Sequence, residues 1–363
     1  MDVQVTQENL NKALANVARV ASSRSTLPIL NNILVKTEDN RLRLSATNLD
    51  IALSQHIGTK VKKEGSLTIP ARLFQDFVSN LPKTTIRLVQ EDAKLHVTAD
   101  NYKSTINGMA SDEFPVMPSI QKPQKISVPT TYLKKALQQV TFAASSDEAR
   151  PVLTGVLLNT IDSKLFIAAT DSYRLAEKEV VKTDNQTKLL VPVSACQDLL
   201  RIIDESEGSV EIEFDRQQVK FTVGDAELVT RQIDGEYPDY KKLIPTKFQN
   251  KAAVLKRDLL SVTKIAGLFS RENAGSIVAS VDDATKKLTI KSIASQVGDN
   301  ISEIEGNTNG SGDITLNSRY LIDVLQVLDG DQVEICFNGK LDPIVVRDPK
   351  ESSYTHIIMP LKS

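Results

Sequence analysis

The sequence predicts an α+β protein built from three similar domains, each with two helices packed on antiparallel sheet. Three observations predict it: an internal repeat, one apolar helix face that recurs three times, and short strands that alternate at matching places. NLNKALANV (9–17) aligns with YLKKALQQV (132–140), LPILNNILVKT (27–37) with RPVLTGVLLNT (150–160), and SATNLD (45–50) with AATDSY (168–173), all at an offset of 123. IPARLFQDF (69–77) meets VPVSACQDL (191–199) at 122, and DEFP (112–115) meets GEYP (235–238) at 123.

The first helix of each copy carries its apolar residues at helical spacing, as Leu10, Leu14 and Val17 and again as Leu133, Leu137 and Val140. Thr6, and Thr130 or Thr131, stand where an N-cap is needed. The second helix repeats the face Leu73, Phe74, Phe77, Val78, Leu81 as Ala195, Cys196, Leu199, Leu200, Ile203 and then as Tyr320, Leu321, Val324, Leu325, Leu328. At 40% hydrophobic content, fifteen apolar residues at fifteen positions have a chance on the order of one in a million. Pro70 and Pro192 fit the first turn of that helix. Val210, Ile212 and Phe214 alternate as strand residues, as do Val333, Ile335 and Phe337 at offset 123. Linkers are expected near 115–125 and 244–251, giving domains at 1–121, 122–246 and 247–363 of the 363 residues.

Composition narrows the function. Lys+Arg 44 against Asp+Glu 46 leaves a net charge of −2, and 25% charged residues suit a globular chain rather than a disordered one. No apolar run is long enough to cross a bilayer, and MDVQVTQENL lacks the order of a signal peptide, so residence in the cytoplasm and no membrane contact are expected. Cys196 and Cys336 form no CxxC pattern. Cys196 occupies a helix-core position of the repeat, and Cys336 should face away from the row of Ile335 and Phe337. His56, His96 and His356 read as strand residues, and Gly310 and Gly312 as a turn. Neither a catalytic arrangement, a metal site nor a cofactor is expected.

The three domains carry net charges of +2, −3 and −1, so none is strongly basic. Yet each first helix or its end holds cations: Lys12 and Arg19, Lys134 and Lys135, then Lys256, Arg257 and Lys264. A domain of this size is roughly 35 Å across, so three in a ring leave a hole of about 5 Å and six a hole of about 35 Å. B-DNA, on the order of 20 Å wide, fits only the larger ring. A chain of this kind that encircles DNA should do so as a head-to-tail dimer.

The triple repeat, TLPILNNIL (26–34), ATDSYRLA (169–176), DGEYPDYKKLIP (234–245) and MPLKS (359–363) together resemble the bacterial sliding clamps, the beta subunits of DNA polymerase III, over the whole chain. The resemblance implies the DNA clamp fold, a homodimeric ring around double-stranded DNA and processivity for the replicative polymerase, with no catalytic activity. It implies as partners the DNA polymerase III alpha subunit, the clamp loader, and other polymerases and repair proteins. Their short peptides would bind a pocket of Leu153, Thr170, Ser172, Tyr173, Arg174, Leu175, Pro238, Lys242, Leu243, Ile357, Met359, Pro360 and Leu361. Ser172-Tyr173 stands where some relatives have Gly-His, and the chain ends in Ser363 where some end in leucine. Arg24 matches a DNA-contacting arginine and joins Lys12, Arg19, Lys134, Lys135 and Lys264, whereas Pro151 and Val152 replace two DNA-touching tyrosines. Leu268 and Phe269 would form the dimer seam with the second helix and the strand at 102–109 of the other copy. The competing readings are a three-domain protein-binding scaffold and a hydrolase using Asp50 or Asp171.

Overall fold

The computed structural model describes residues 1–21, 27–203, 208–270, 274–294 and 298–362. Its first third runs β1 (Asp2–Thr6), α1 (Gln7–Val17), β2 (Asn32–Glu38), β3 (Arg41–Thr47), β4 (Ile51–Gly58), β5 (Lys60–Lys63), β6 (Ser66–Pro70), α2 (Ala71–Ser79), β7 (Thr85–Glu91), β8 (Lys94–Ala99) and β9 (Tyr102–Asn107). The middle third repeats this order as β10 (Gln124–Pro129), α3 (Thr130–Val140), β11 (Gly155–Ile161), β12 (Lys164–Thr170), β13 (Arg174–Lys182), β14 (Lys188–Pro192), α4 (Val193–Ile202), β15 (Ser209–Phe214), β16 (Gln218–Val223) and β17 (Ala226–Arg231). The last third is β18 (Asn250–Leu255), α5 (Lys256–Phe269), β19 (Ser276–Asp282), β20 (Lys287–Ala294), β21 (Gly298–Glu305), β22 (Asn307–Asn309), β23 (Gly312–Asn317), α6 (Ser318–Val327), β24 (Gln332–Phe337), β25 (Ile344–Arg347) and β26 (Tyr354–Ile358). A strand, a helix, a run of strands, a helix and three strands thus recur three times.

The chain forms two compact units, Met1–Thr131 with Ser194–Gln232, and Tyr132–Val193 with Ile233–Ser363. In the first, an eight-stranded sheet runs β10-β15-β16-β17-β4-β3-β2-β6 beside a five-stranded sheet β5-β1-β7-β8-β9. In the second, a nine-stranded sheet runs β14-β11-β12-β13-β26-β25-β24-β18-β22, with a four-stranded sheet β21-β20-β19-β23. Two ladders stitch the large sheets: β17 on β4, with Leu228 opposite Leu53, and β13 on β26, with Leu175 opposite Ile357. All pairings are antiparallel, so each strand can bury one face and wet the other.

The first helices bury the residues their spacing marks. Leu10, Leu14, Val17, Leu133 and Val140 are fully buried and Leu137 nearly so. Thr6 caps α1, its Oγ1 accepting the Asn9 amide at 3.4 Å, and α1 packs on α2 as α5 packs on α6. The second-helix face is less uniform than its spacing implies. Phe74, Val78, Cys196, Leu199, Leu321 and Val324 are buried, but Leu73 is 55% exposed and Phe77, Leu200 and Tyr320 are half-buried. Leu73 and Tyr320 share position one of that pattern with fully buried Ala195, so packing against a partner element rather than helix period decides exposure there. Pro70 and Pro192 directly precede the helices rather than open them, with Pro70 as the N-cap of α2.

Both faces of β24 are covered. Ile335 and Phe337 are buried on one side and Cys336 on the other, as the alternation requires. Gly310 takes a left-handed φ of 79° between β22 and β23, the expected turn. Removing the α1 cap with Thr6→Ala should lower stability by about 1 kcal/mol. Urea unfolding followed by circular dichroism measures it, and a loss within error would show that the cap contributes nothing.

Candidate functional site

Residues of the predicted pocket gather in the second unit around one turn. The stretch Thr170-Asp171-Ser172-Tyr173-Arg174 between β12 and β13 is closed by its own side chains. Thr170 Oγ1 donates to the Arg174 carbonyl at 2.6 Å and accepts the Ser172 amide at 3.1 Å, while Asp171 Oδ1 accepts the Tyr173 and Arg174 amides, each at 2.9 Å. Ser172 is held at φ 78°, a conformation that glycine adopts freely and serine at a cost of about 1–2 kcal/mol. The first unit contains the same device 123 residues earlier. Thr47 Oγ1 donates to Ile51 O at 3.0 Å, Asn48 Oδ1 accepts the Asp50 and Ile51 amides at 3.0 and 2.8 Å, and Leu49 has φ 79°. Asp171 therefore corresponds to Asn48, not to Asp50, and its carboxylate is engaged as a turn brace and an ion-pair partner rather than as a hydrolytic group.

Arg174, 12% exposed in its side chain, is the most heavily bonded group of the site. Its Nε donates to Asp171 Oδ2 at 3.0 Å, Nη1 to Asp323 Oδ2 at 2.6 Å and Nη2 to the Phe142 carbonyl at 2.7 Å. The guanidinium also lies 4.7 Å from the Tyr320 ring centroid and 5.3 Å from that of Phe142. This explains the partial exposure of Tyr320: it is a platform for an arginine rather than a core residue. Behind it His356 is fully buried, stacked on Phe142 at 5.5 Å. Burial first, and the Arg174 charge second, push its pKa down to about 3.

The apolar floor is a cluster of Leu157, Ala168, Leu175, Leu190, Tyr237, Tyr240, Cys336, Val345 and Ile357, joined by half-buried Val152, Phe248 and Met359. Pro238 sits exposed between two buried tyrosines that meet edge to face at 6.4 Å. Burial pushes both phenols well above the ordinary tyrosine range. Lys241 is anchored on buried Glu177 at 2.5 Å and lies 3.8 Å from the Phe166 ring centroid. Leu153, Leu175 and Ile357 are buried, Thr170 nearly so, and Ser172, Lys242, Tyr173 (58%) and Leu243 (50%) are exposed. The chain end is tied down: the Met359 amide donates to Tyr173 O at 2.8 Å and the Leu361 amide to Thr315 O at 2.9 Å, which leaves Met359, Pro360 and Leu361 half-buried.

Sequence reasoning missed Tyr237 and Tyr240 although they stand in DGEYPDYKKLIP, and it missed Phe142, Asp323 and Tyr320 as partners of Arg174. The tyrosines were signalled by their spacing around Pro238. No local pattern ties residues 142 and 323 to residue 174.

The expected DNA-facing cations behave unequally. Lys12, Arg19 and Lys264 are exposed and Lys134 is half-buried. Lys135 is committed to Asp329 at 2.8 Å and Glu351 at 3.1 Å, in a cluster that also holds Lys178. Burial opposes ionisation of Glu351, but its bonds to Lys178 and Lys135 hold its pKa below the usual range. Arg24 lies outside the described residues. Leu268 is 56% exposed and Phe269 half-buried at the end of α5. Burial pushes the thiol of Cys196 up to about 12, which removes it as a nucleophile. Among the described residues no group of three His, Cys, Asp or Glu is disposed to hold a metal, and no helix is long and apolar enough to cross a membrane.

Three sequence profiles of the DNA polymerase III beta subunit match in order: the N-terminal domain over residues 1–118, the central domain over 127–239 and the C-terminal domain over 241–362. The chain belongs to the bacterial sliding-clamp family. Beta sliding clamps of Bacillus subtilis and Staphylococcus epidermidis are 28% and 27% identical to it, with full coverage of both chains. The crystal structure of the B. subtilis DNA polymerase sliding clamp superposes with a TM-score of 0.93 at 27% identity, covering 100% of this chain and 99% of that one. A Pseudomonas aeruginosa sliding clamp bound to griselimycin gives 0.94 at 25% identity with complete coverage. The chain is thus a clamp of three similar α+β domains that tethers a DNA polymerase, a processivity factor and not an enzyme.

Replacing Arg174 by Met strands Asp171 and Asp323 without their shared cation and should cost about 3 kcal/mol of stability, readable as a lower urea midpoint. Adding Asp323→Asn should recover part of that loss. For His356 the sign follows from proton binding. The unfolded imidazole takes a proton near pH 6.5 and the folded one only near 3, so the unfolded state binds more protons in between and stability falls as pH drops through that window. Between pH 7 and 5 the native protein should lose about 2 kcal/mol more than His356→Gln does, measured by urea titration at each pH.

Proposed function

We propose that two copies of this chain meet head to tail and close six domains around duplex DNA, with boundaries at 1–121, 122–246 and 247–363. The observation that carries this reading is the ordered match of the three parts of the beta subunit along the whole chain. The seam joins the end of α5, with Leu268 and Phe269, to α2 and β9 of the other copy. Exposed Leu73 (55%) and Tyr102 (52%) support it, as does β9 standing at the edge of its sheet. β21, at the edge of the four-stranded sheet and carrying exposed Ile301, offers a matching edge.

Within the ring Lys12, Arg19, Arg24, Lys134 and Lys264 attract phosphates without reading bases, and Lys135 contributes little because two carboxylates already neutralise it. A clamp that slides needs this weak, register-free attraction, since encirclement supplies the retention. The site is the cytoplasm, where replication proteins meet the chromosome.

Partners dock a short peptide where Leu153, Thr170, Leu175 and Ile357 meet exposed Ser172, Tyr173, Pro238, Lys242 and Leu243 and the half-buried Arg174 and Met359-Pro360-Leu361. An apolar floor with few polar guides gives modest affinity, so that the DNA polymerase III alpha subunit, the clamp loader, other polymerases and repair proteins can exchange. Ligand-bound clamps such as that of P. aeruginosa with griselimycin support a pocket in this family.

Deleting Met359 to Ser363 should weaken binding of a polymerase-derived peptide about tenfold or more in fluorescence anisotropy while sedimentation still reports a dimer. Unchanged affinity refutes the pocket. Loaded clamp should stay on nicked circular DNA and run off linear DNA; equal loss from both sinks the ring.

A further inference from the structure

The repeat that closes an apolar cluster in the second unit leaves its counterpart in the first unit open. At an offset of 123, Phe114 corresponds to Tyr237, Met117 to Tyr240, Ser45 to Ala168 and Arg43 to Phe166. Phe114 is buried against Ile29, Leu30 and Leu34, but Val116 is 94% exposed and the segment through Ile120 borders a cavity of about 470 Å³. That volume lies in the range of small-molecule sites, roughly 300–1,000 Å³.

Just beneath the wall of this cavity lie two donors with no partner among the described residues, which a small rotation of either side chain would turn toward it. Ser45 is fully buried and, among the described residues, its Oγ has no hydrogen-bond partner; neither has the buried Nε of Arg43. Arg43 spends its other nitrogens on Glu38 at 3.0 Å and Ser54 at 3.4 Å. Buried polar groups are nearly always satisfied, so two neighbouring orphans at one cavity wall call for an acceptor. Lining residues Lys36, Arg43 and Lys220 outnumber the single lining carboxylate, Glu227. Glu38 stands near Lys36 and Arg43, and Glu213 is shared by Lys220 and Lys125, so four cations face the three carboxylates Glu38, Glu213 and Glu227, a balance that suits one added negative charge rather than several. The rest of the lining is apolar, with Leu34, Val229 and Pro118.

We propose that this cavity binds a small monocarboxylate with an apolar body. The carboxylate accepts from the Ser45 hydroxyl and from Arg43 Nε, and the hydrocarbon lies against Leu34, Val229 and the 114–120 segment. Nothing in this site belongs to the peptide pocket, so the two readings stand or fall separately. Two sources supply such a group, a free aromatic or branched acid and the C-terminal carboxylate of an apolar peptide.

Fluorine NMR of 4-fluorobenzoate with the full-length protein tests it, with 4-fluorobenzamide as the neutral control. The acid should bind saturably and at least tenfold more tightly than the amide. Ser45→Ala, which removes only a hydroxyl that bonds to nothing among the described residues, should weaken the acid about fivefold. Deletion of Met359 to Ser363 should leave it unchanged. Displacement by N-acetyl-leucyl-phenylalanine but not by its amide assigns the site to peptide ends, and failure to displace assigns it to free acids. Equal binding of acid and amide, no saturation, or an unaltered affinity in Ser45→Ala overturns the proposal.

Discussion

The antiparallel ladder between β13 and β26 is the constraint on which the rest of the second unit depends. It pairs residues about 180 positions apart, Arg174 with Ile358 and Lys178 with Tyr354, through hydrogen bonds that any sequence can make. Once it is formed, Leu175 lies opposite Ile357, the chain end is delivered to the Tyr173 carbonyl, and Arg174 becomes available to Asp323 and Tyr320. Loop closure over so long a separation is entropically expensive, and the apolar cluster under the ladder offsets that cost. Burial of the Tyr237, Tyr240 and Cys336 side chains is thus part of holding the site together as well as forming its floor.

The first unit reuses the device with different content. The β17–β4 ladder and the Thr47-Asn48-Leu49 turn match the β13–β26 ladder and the Thr170-Asp171-Ser172 turn in geometry, yet no arginine follows: Ile51 stands where Arg174 does. Where the second unit packs Ala168 with its tyrosines and sets Phe166 under Lys241, the first lines a cavity with Ser45, Arg43, Phe114 and Met117. A repeat conserves backbone hydrogen bonding because those bonds do not depend on side chains. It leaves the chemistry of each cavity free to differ. The same architecture therefore yields an apolar cluster beside a pinned chain end in one unit and a polar-walled cavity in the other.

Charge follows the same division. The near-neutral total hides local commitments: Lys135, Lys178 and Lys241 are each bonded to carboxylates, whereas Arg19 and Lys264 stand exposed. A count of basic residues per helix cannot distinguish the two kinds, because the carboxylates that claim Lys135 come from residues 329 and 351. Low total basicity suits a protein retained on DNA by encirclement.

Periodicity alone determined the repeat, the order of helices and strands, the buried faces of α1 and α3 and the burial of Cys196, since these depend on spacing within a single element. The motifs also named residues that gather around the turn at 170–174 and the chain end beside it, and the 123-residue offset placed the two turns in register. What only the tertiary structure decided involves residues distant in the chain: Leu73 left exposed, Tyr320 turned from core residue to platform for Arg174, Lys135 neutralised, and Ser45 buried without a partner among the described residues. The physical reason is one of range. Helix and strand periods are set by neighbours a few residues away, whereas burial, ion pairing and hydrogen-bond satisfaction are set by whichever strand or helix packs alongside, and that is fixed by ladders spanning more than a hundred residues.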